Sequence, residues 1–287
     1  MTTVLEETRD GVAWHIDALP DPGAGPDAMG EVATIRIERP ERANALSTAL
    51  MERFVACVQA SGDRPMMRAI VITGHGAIFV GGADIHEMSA LEPASARAFI
   101  TRVHRCCDCL RAAPVPVIAR INGLTLGAGL EMAAACDLRV VAREARLGMP
   151  EVKLGIPSVV EAALLPGLIG WGRTRELLLL GDLIDADEAL AMGLVERVVP
   201  AQELDTAVER WLHSLFANGP QAVRDQKALL RRWEKLPLAE AVVAGIDAFA
   251  MSWERPEPAR MMREWRERRA IAKGRPAPGR SGSGEAG

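Results

Sequence analysis

Two glutamates lie beside turns rich in glycine or proline, where a carboxyl group could transfer a proton. Glu131 stands in the first turn of a predicted helix that begins Gly-Ala-Gly, shortly after the apolar stretch 115–121. Glu151 follows Pro150 in a predicted loop flanked by apolar residues. Burial of a carboxyl group in such a loop favours its protonated form and a role as a proton donor. The pattern indicates a pair of carboxyl groups for acid–base chemistry.

Two glycine-rich turns, each after an apolar strand, could bind a negatively charged oxygen. The first turn is 74–82, and it leads into Ala83-Asp84-Ile85; the second is 127–129. Small residues let a ligand approach the backbone, and the unpaired N–H groups of a starting helix point outward as donors. Two converging turns could each give one N–H to a single carbonyl oxygen. Together with the glutamates, they predict proton transfer next to a carbonyl group.

Structural interpretations compete with these functional ones. Glu131 could complement the dipole of its helix, and Glu151 could be a solvated loop acid. Asp84 is either a helix cap or an accessory acid of the site, and its position before a predicted helix favours the cap. His75 lies between two glycines, as a solvent-facing turn residue would. The three stretches taken together favour the catalytic interpretation of both glutamates.

Cofactor and metal sites are not predicted. Both glycine turns lack the third glycine of a dinucleotide fingerprint, since Phe79 and Met132 stand in its place. The Cys-x-x-Cys pair at 106 and 109 falls within a helical pattern, and no second pair completes a tetrahedral zinc site. The predicted chemistry therefore uses protein side chains and backbone alone.

The elements that must position these residues alternate in type over the first two thirds of the chain. The predicted strands are 11–16, 32–38, 69–73, 115–121, 138–141 and, more weakly, 195–198; the predicted helices are 48–60, 94–112, 129–135 and 173–180. Residues 18–30 are rich in turn formers and are predicted to form an extended loop between the first two strands. This alternation is typical of an α/β fold.

Only helices are predicted after residue 199, namely 203–216, 221–233, 239–251 and 256–272. We therefore divide the chain into a core at 1–199, a helical region at 200–272 and a tail at 273–287 that is too poor in apolar residues to fold alone. Trp211, Trp233, Trp253 and Trp265 either pack these helices onto the core or anchor a subunit interface.

Composition excludes several function classes. The formal net charge of −4 is small for 287 residues, and the charges are interspersed, so no nucleic-acid surface is predicted. No apolar run approaches the roughly 20 residues that cross a bilayer, and the amino terminus lacks the pattern of a secretory signal. Five cysteines suit a reducing compartment better than a disulfide framework. The expected location is the cytoplasm.

The three stretches resemble the signature regions of the enoyl-CoA hydratase/isomerase (crotonase) superfamily, over roughly residues 32–199. The resemblance implies that the N–H groups of Ala83 and Ala128 form an oxyanion hole and that Glu131 and Glu151 are the catalytic glutamates. It implies a spiral of repeated ββα units, a helical carboxy-terminal region for trimerisation, and trimers or hexamers. CoA enters as part of the substrate, with no tightly bound cofactor. The residues expected to contact it are Arg42, Ala43, Ala45, Gly82, Asp84, Ile85, His86, Gly127, Pro150 and Ser158.

The implied activity is addition of water to an enoyl-CoA thioester in fatty acid or related acyl-CoA degradation, with Glu131 activating water and Glu151 protonating Cα. Double-bond isomerisation, thioester hydrolysis, decarboxylation and a non-catalytic acyl-CoA scaffold are the alternatives. The chain departs from the family pattern at Ala128, where a glycine is usual, at His86, where a lysine is common, and at 158–161, where a glycine-rich run is usual. The segment 158–161 lies next to the expected acyl pocket.

Overall fold

Eleven strands form two sheets in the computed structural model, which describes residues 2–273. The strands are β1 (Thr2–Arg9), β2 (Val12–Pro20), β3 (Met29–Ile37), β4 (Met67–Gly74), β5 (Ile78–Val80), β6 (Val117–Ile121), β7 (Leu124–Leu126), β8 (Leu138–Ala142), β9 (Arg146–Gly148), β10 (Leu183–Asp185) and β11 (Arg197–Val199). The larger sheet has the order β1-β2-β3-β4-β6-β8-β11, and the smaller has the order β10-β9-β7-β5.

Residues 2–273 also form ten α-helices and four short 3-10 turns, of which the last turn and α7–α10 follow the final strand. The helices are α1 (Thr48–Gly62), α2 (Ile85–Met88), α3 (Pro93–Ala112), α4 (Ala128–Ala135), α5 (Leu165–Leu180), α6 (Ala186–Ala191), α7 (Leu204–Ala217), α8 (Pro220–Trp233), α9 (Leu238–Ser252) and α10 (Glu257–Ala272). The 3-10 turns are Pro40–Arg42, Pro150–Leu154, Val160–Leu164 and Ala201–Glu203. The turns Pro150–Leu154 and Val160–Leu164, which follow β9, border the candidate site.

The two sheets arise from one repeated unit, in which a long strand of the large sheet is followed by a short strand of the small sheet and then by helix. The pairs β4–β5, β6–β7 and β8–β9 each follow this pattern, and strands of successive units pair in parallel. The predicted spiral of ββα units with a helical carboxy-terminal region is therefore confirmed. Each short strand ends beside a turn that carries a candidate site residue.

The centre of the large sheet is apolar on both faces. Every residue of β4 is buried, and β6 is buried except for Arg120. Parallel strands covered on both faces require such continuous apolar runs. Helices α1 and α3 pack on this core through buried side chains that include Phe54 and Phe99. The core thus fixes the ends of β4, β6 and β8, from which the glycine turns and the Glu151 turn depart.

The predicted long strands and helices are found within a few residues of their expected bounds, but the segment 18–30 is not a loop throughout. Leu19 pairs with Gly30 and Pro20 with Met29, so β2 and β3 extend into this segment and only 21–28 connects them. The turn-forming residues at 20 and 30 led to the wrong prediction, because cross-strand pairing overrides local preference at the end of a hairpin.

The amino-terminal strand and the early part of α5 were not predicted. Thr2–Arg9 pairs antiparallel with β2 as an exposed edge strand whose charged residues mask its pattern. Helix α5 begins at Leu165, eight residues before the predicted helix start, and it is interrupted at Gly170, which has a φ of 71°. The four helices α7–α10 match the predicted carboxy-terminal helices.

The carboxy-terminal helices leave much apolar surface uncovered in the single chain. Trp233, Trp253 and Trp265 are each exposed by at least 40%, whereas Trp211 packs against the core. Residues 274–287 of the predicted tail 273–287 lie outside the described residues, and the division into 1–199, 200–272 and 273–287 stays a prediction. Among residues 2–273, no helix is long and apolar enough to cross a membrane.

Candidate active site

A cavity of about 760 Å³ lies between the two glycine turns, α3 and the segment 150–159. It brings together eight of the predicted site residues: Gly82, Ala83, Ile85, Gly127, Ala128, Glu131, Pro150 and Glu151. The rest of the wall is largely apolar and includes Met88, Phe99, Ile100, Val103, Leu126 and Ile156. An apolar chamber with a few convergent polar groups is the usual form of a small-molecule site.

Glu131 is placed at the cavity by α4, a helix that is buried along its whole length. The residue is only 4% exposed. The backbone N–H of Ala162 donates to its Oε1 over 3.1 Å. Ala162 belongs to the 3-10 turn that precedes α5. The structure therefore fixes one oxygen of this carboxyl group through a residue that the sequence patterns did not single out.

Burial raises the pKa of Glu131 to about 8, and the negative charges of Glu151 and Glu161 contribute to the increase. The N–H of Ala162 acts in the opposite direction, because it stabilises the ionised form. A carboxyl group that remains protonated near neutral pH can donate a proton or share one with a neighbour. Glu131 is therefore the deeply buried glutamate, whereas the sequence predicted burial for Glu151.

The buried carboxyl group of Glu131 makes stability depend on pH. A folded-state pKa above the unfolded value means that stability is fully present below pH 4.5 and is lost as pH rises through about 8. We expect the free energy of unfolding of the wild type to fall by about 2–3 kcal/mol more than that of Glu131→Gln between pH 6 and pH 9. Urea unfolding at the two pH values measures this difference. Equal pH dependence in both proteins would contradict it, and Glu209→Gln, an exposed acid on α7, is the control.

Glu151 reaches the same cavity from the 3-10 turn Pro150–Leu154 and is half-buried. The Ser158 hydroxyl donates to its Oε2 over 2.8 Å. Its Oε1 lies against Gly127, where an added Cβ would collide with it. Gly127 also has a φ of 50°, a left-handed conformation that favours glycine. The turn before α4 thus leaves space for the Glu151 carboxylate beside the helix that carries Glu131.

The N–H groups of Ala83 and Ala128 are free to bind a ligand oxygen. Leu46 donates to Gly82 O and accepts from Asp84 N–H, so this parallel bridge leaves the N–H of Ala83 unused. Ala128 is the first residue of α4, where backbone N–H groups have no partner within the helix. Within the described part of the chain, neither N–H donates a hydrogen bond, and both residues line the cavity.

Asp84 caps α2 and does not line the cavity among residues 2–273. Its Oδ1 accepts from the N–H of His86 over 2.8 Å, and its Oδ2 lies 2.6 Å from Arg39 Nη1. Burial favours the neutral acid, but the Arg39 guanidinium and the cap N–H groups outweigh it and hold the pKa of Asp84 below its usual value. The structure favours the cap over direct contact with a substrate.

The predicted CoA contacts near residue 42 form a separate group at the surface. Arg42 Nη1 lies 2.6 Å from Nε2 of His86, and both side chains are exposed. Ala43 accepts from the N–H of Gly81 over 2.9 Å, which joins this turn to the first glycine turn. Ala45 accepts from Arg39 over 3.1 Å. These residues and Ser158 lie outside the cavity wall, but they adjoin elements that form it.

A pair of side chains next to the Glu131 site, one half-exposed and one buried, was not identified from the sequence patterns. His104 on α3 contacts Glu161, which is buried and follows directly after Val160 in the 3-10 turn before α5. The sequence feature that could have pointed to Glu161 is its position as an acid in the stretch 158–161, where the family usually has a glycine-rich run. No local sequence pattern indicated a role for His104, because it contacts a residue 57 positions away in the chain.

All five cysteines are buried thiols. Cys106 and Cys109 lie on α3, and burial raises the pKa of Cys106 to about 12. Among the described residues, no group of three or more metal-binding side chains is present. All five thiols pack in the hydrophobic core, three of them on α3.

A ββα spiral that brings two carboxyl groups and two unused backbone N–H groups to one apolar cavity defines a protein of the crotonase class. The chain belongs to the enoyl-CoA hydratase/isomerase family, whose model matches residues 27–272. It is 35% identical to a crotonyl-CoA hydratase of Syntrophomonas wolfei over 241 residues, which cover 83% of this chain and 93% of that protein. It is 32% identical to a short-chain-enoyl-CoA hydratase of Clostridium acetobutylicum, covering 84% and 94% of the two chains.

The fold is also similar to solved structures. An enoyl-CoA hydratase from Bacillus anthracis superposes with a TM-score of 0.77 at 29% identity, covering 91% of this chain and 97% of that one. An enoyl-CoA hydratase/carnitine racemase from Magnetospirillum magneticum gives a TM-score of 0.79 at 28% identity, with 94% and 95% covered. The similarity extends over the core and the carboxy-terminal helices.

Proposed function

We propose that the protein is an enoyl-CoA hydratase, which adds water reversibly to a trans-2-enoyl-CoA and gives a 3-hydroxyacyl-CoA. The observation that carries this proposal is the presence of Glu131 and Glu151 on one cavity that also receives two unused N–H groups. Relatives named as crotonyl-CoA and short-chain-enoyl-CoA hydratases support it. The reaction needs no cofactor beyond the CoA of the substrate.

The two N–H groups would act on the thioester oxygen. Attack of water on Cβ shifts the double-bond electrons toward this oxygen, which gains negative charge as an enolate forms. The N–H groups of Ala83 and Ala128 would stabilise that charge, and a preorganised donor of this kind contributes on the order of 3 kcal/mol. With an acyl chain bound against the apolar part of the wall, less water would reach the oxygen, which would strengthen the interaction.

The glutamates would exchange one proton with water and one with Cα. Glu131 takes a proton as the water oxygen bonds to Cβ, and Glu151 delivers a proton to Cα, so the sum is one added water. Because the pKa of Glu131 is about 8, Glu131 carries a proton in the substrate-free enzyme near neutral pH, the state required for dehydration. Hydration starts with Glu131 ionised and the proton on Glu151. Coupled acids can exchange a proton, so the pair can reach this state.

The remaining predicted contacts would bind CoA. Arg42 is a cation at the surface beside the first glycine turn, and the turn at 42–45 joins that glycine turn. A guanidinium group can bind a phosphate with two hydrogen bonds. The thioester would then pass Gly82 and Gly127 into the cavity, with Ile85 and Pro150 on its walls.

Product analysis with a panel of acyl-CoA thioesters tests the function. We expect crotonyl-CoA to give 3-hydroxybutyryl-CoA, seen as loss of the conjugated enoyl absorbance and confirmed by mass spectrometry. A 3-enoyl-CoA, a saturated acyl-CoA and a malonyl-type CoA probe isomerase, hydrolase and decarboxylase activity in the same series. Turnover of one of these three without hydration of crotonyl-CoA would replace the proposal by that alternative.

We also propose that the protein forms trimers or dimers of trimers through its carboxy-terminal region. Helix α9 exposes large apolar side chains in the single chain, including Leu238, Ile246 and Phe249 at 63% or more. An apolar face of this kind is typical of a subunit interface. Sedimentation equilibrium should give a mass of three or six chains, and a monomer at micromolar concentration would contradict the proposal.

The proposed setting is degradation of fatty acids or related acyl-CoA compounds in a reducing compartment such as the cytoplasm. Five buried thiols without disulfides support this compartment. Accumulation of enoyl-CoA in cells that lack the protein would support the setting, and unchanged acyl-CoA pools would contradict it.

A further inference from the structure

The segment Ser158–Ala162 contacts both candidate catalytic glutamates. The hydroxyl of Ser158 donates to Glu151 Oε2 over 2.8 Å, and the N–H of Ala162 donates to Glu131 Oε1 over 3.1 Å. The two donors are four residues apart in one continuous stretch of backbone. The orientation of both carboxyl groups therefore depends on the conformation of this short segment.

The backbone of the segment is strained at its centre. Val160 has a φ of 41°, in the left-handed region that β-branched residues rarely adopt. Such a conformation persists only where surrounding contacts hold it in place. Residues of the segment must therefore be anchored to a neighbouring element.

The anchor is a contact between Glu161 and α3. Oε1 of Glu161 lies 2.7 Å from Nδ1 of His104, and the glutamate is only 8% exposed. Its other oxygen, Oε2, is buried and has no hydrogen-bond partner among residues 2–273. Burying an unpaired carboxylate oxygen is unfavourable, so packing alone does not explain why a glutamate occupies this position.

Two elements contribute titratable side chains that interact with Glu161. Helix α3 contributes His104 and the thiols of Cys106 and Cys107, and α4 contributes Glu131. Burial raises the pKa of both thiols, so they stay neutral at physiological pH. His104 is thus the group of this set that can donate to Glu161, while the charge of Glu161 acts on Glu131.

We propose that His104 and Glu161 are positioning residues for Glu131. Their contact holds the Ser158–Ala162 segment against α3, and the segment keeps the Ala162 N–H on the Glu131 carboxylate. The charge of Glu161 favours the protonated form of Glu131 in the substrate-free enzyme. The kinetic consequences of this inference rest on the proposed hydratase function.

Kinetics of His104 variants provide the first test. His104→Ala is expected to lower kcat for crotonyl-CoA about tenfold with little change in KM, because a displaced carboxyl group loses reactive geometry while the CoA contacts remain. His104→Asn keeps a donor at the position of Nδ1 and should restore at least about half of the wild-type kcat. His213→Ala, an exposed histidine on α7, is the control. Wild-type kcat in His104→Ala, or an Asn variant as slow as the Ala variant, would overturn the proposal.

The charge of Glu161 has a separate readout. Glu161→Gln preserves shape and can still accept from His104, so kcat measured at pH 6, below the alkaline limb of both enzymes, should fall less than in His104→Ala. The proposed mechanism requires one proton on the two glutamates, so kcat/KM of the wild type should fall as pH rises through about 8, the pKa of Glu131. In Glu161→Gln this alkaline limb should move about one unit toward lower pH. A residue that merely stabilises the fold would leave the limb in place, and that result overturns the proposed effect of the charge.

A measurement without substrate separates this inference from the proposed function. The ¹⁵N-alanine amide signal of Ala162, assigned by its loss in Ala162→Gly, should titrate with Glu131 near pH 8 and stop titrating in Glu131→Gln. His104→Ala should reduce the amplitude of this titration by about half or more, because the amide moves away from the carboxyl group. An undiminished amplitude would overturn the positioning role even if crotonyl-CoA is not a substrate. Loss of hydration in the wild type alone would refute only the function.

Discussion

Glu131→Gln and Glu151→Gln are each expected to lower kcat for crotonyl-CoA hydration by about 10³-fold, which is within the range attributed to a positioned acid or base. Each glutamine keeps the size of the side chain but can neither take a proton from water nor give one to Cα. The Ala162 N–H can still donate to a glutamine oxygen at position 131, so the local fold should persist. Stopped-flow absorbance of the enoyl group measures the rate.

CoA affinity separates lost chemistry from lost binding in these variants. The Kd for CoA, measured by calorimetry, should stay within about threefold of the wild type, because the groups near Arg42 that would bind CoA are unchanged. Glu144→Gln, an exposed acid between β8 and β9, is the matched control and should retain full activity. Normal turnover in either active-site variant would refute the assignment of the two glutamates.

The double variant gives a further expectation. If the two carboxyl groups share one proton as a unit, removing the second should add far less than another 10³-fold, because residues that act together are strongly non-additive. The physical reason is that one remaining glutamate cannot complete both proton transfers. Fully multiplicative losses would indicate two independent roles.

The core of the site was predictable because its signals are local. Glu131, Glu151 and the two alanine N–H groups lie within short motifs, and each motif follows a buried apolar strand of the large sheet. Continuous apolar runs such as β4 indicate parallel strands, and glycines mark the turns. The structure places all four residues on one cavity, and their catalytic roles stay predictions.

The parts that escaped prediction depend on contacts distant in sequence or on very short elements. Strands β5, β7, β9 and β10 have three residues each, too few for a periodic pattern. The pairing of Leu19 with Gly30 overrode the turn preference of the residues around them. His104 and Glu161 meet across 57 residues, and no local pattern can report such a pair.

Which of the two glutamates is the more buried could not be predicted from the sequence. A glutamate after a proline in an apolar loop suggests burial, yet Glu151 is half-buried in a 3-10 turn next to Ser158. Glu131 is the buried one because all of α4 lies inside the protein. The burial of a helix depends on the elements that pack around it. The sequence of α4 is apolar on nearly all sides, so it has no polar face from which the buried side could be predicted.

The backbone donor at Ala128 gives the second large effect. Ala128→Pro is expected to lower kcat/KM for crotonyl-CoA by about 10²- to 10³-fold, the loss typical of removing one oxyanion donor. Proline lacks the N–H, and its Cδ would occupy the position from which the hydrogen points into the cavity. The fold should tolerate the change, because Ala128 is the first residue of α4 and proline is favoured at that helix position.

The neighbouring residue also permits this substitution. Gly127 has φ of 50° and ψ of −120°, so it is outside the α region that a following proline disfavours. Ala128→Gly is the matched control, since it keeps the N–H and changes only one methyl group, and its kcat/KM should stay within about fivefold of the wild type. Circular dichroism and thermal unfolding establish that Ala128→Pro is folded. A folded Ala128→Pro enzyme with wild-type kcat/KM would show that the thioester oxygen is bound elsewhere, because no other change in the cavity could compensate for the missing donor.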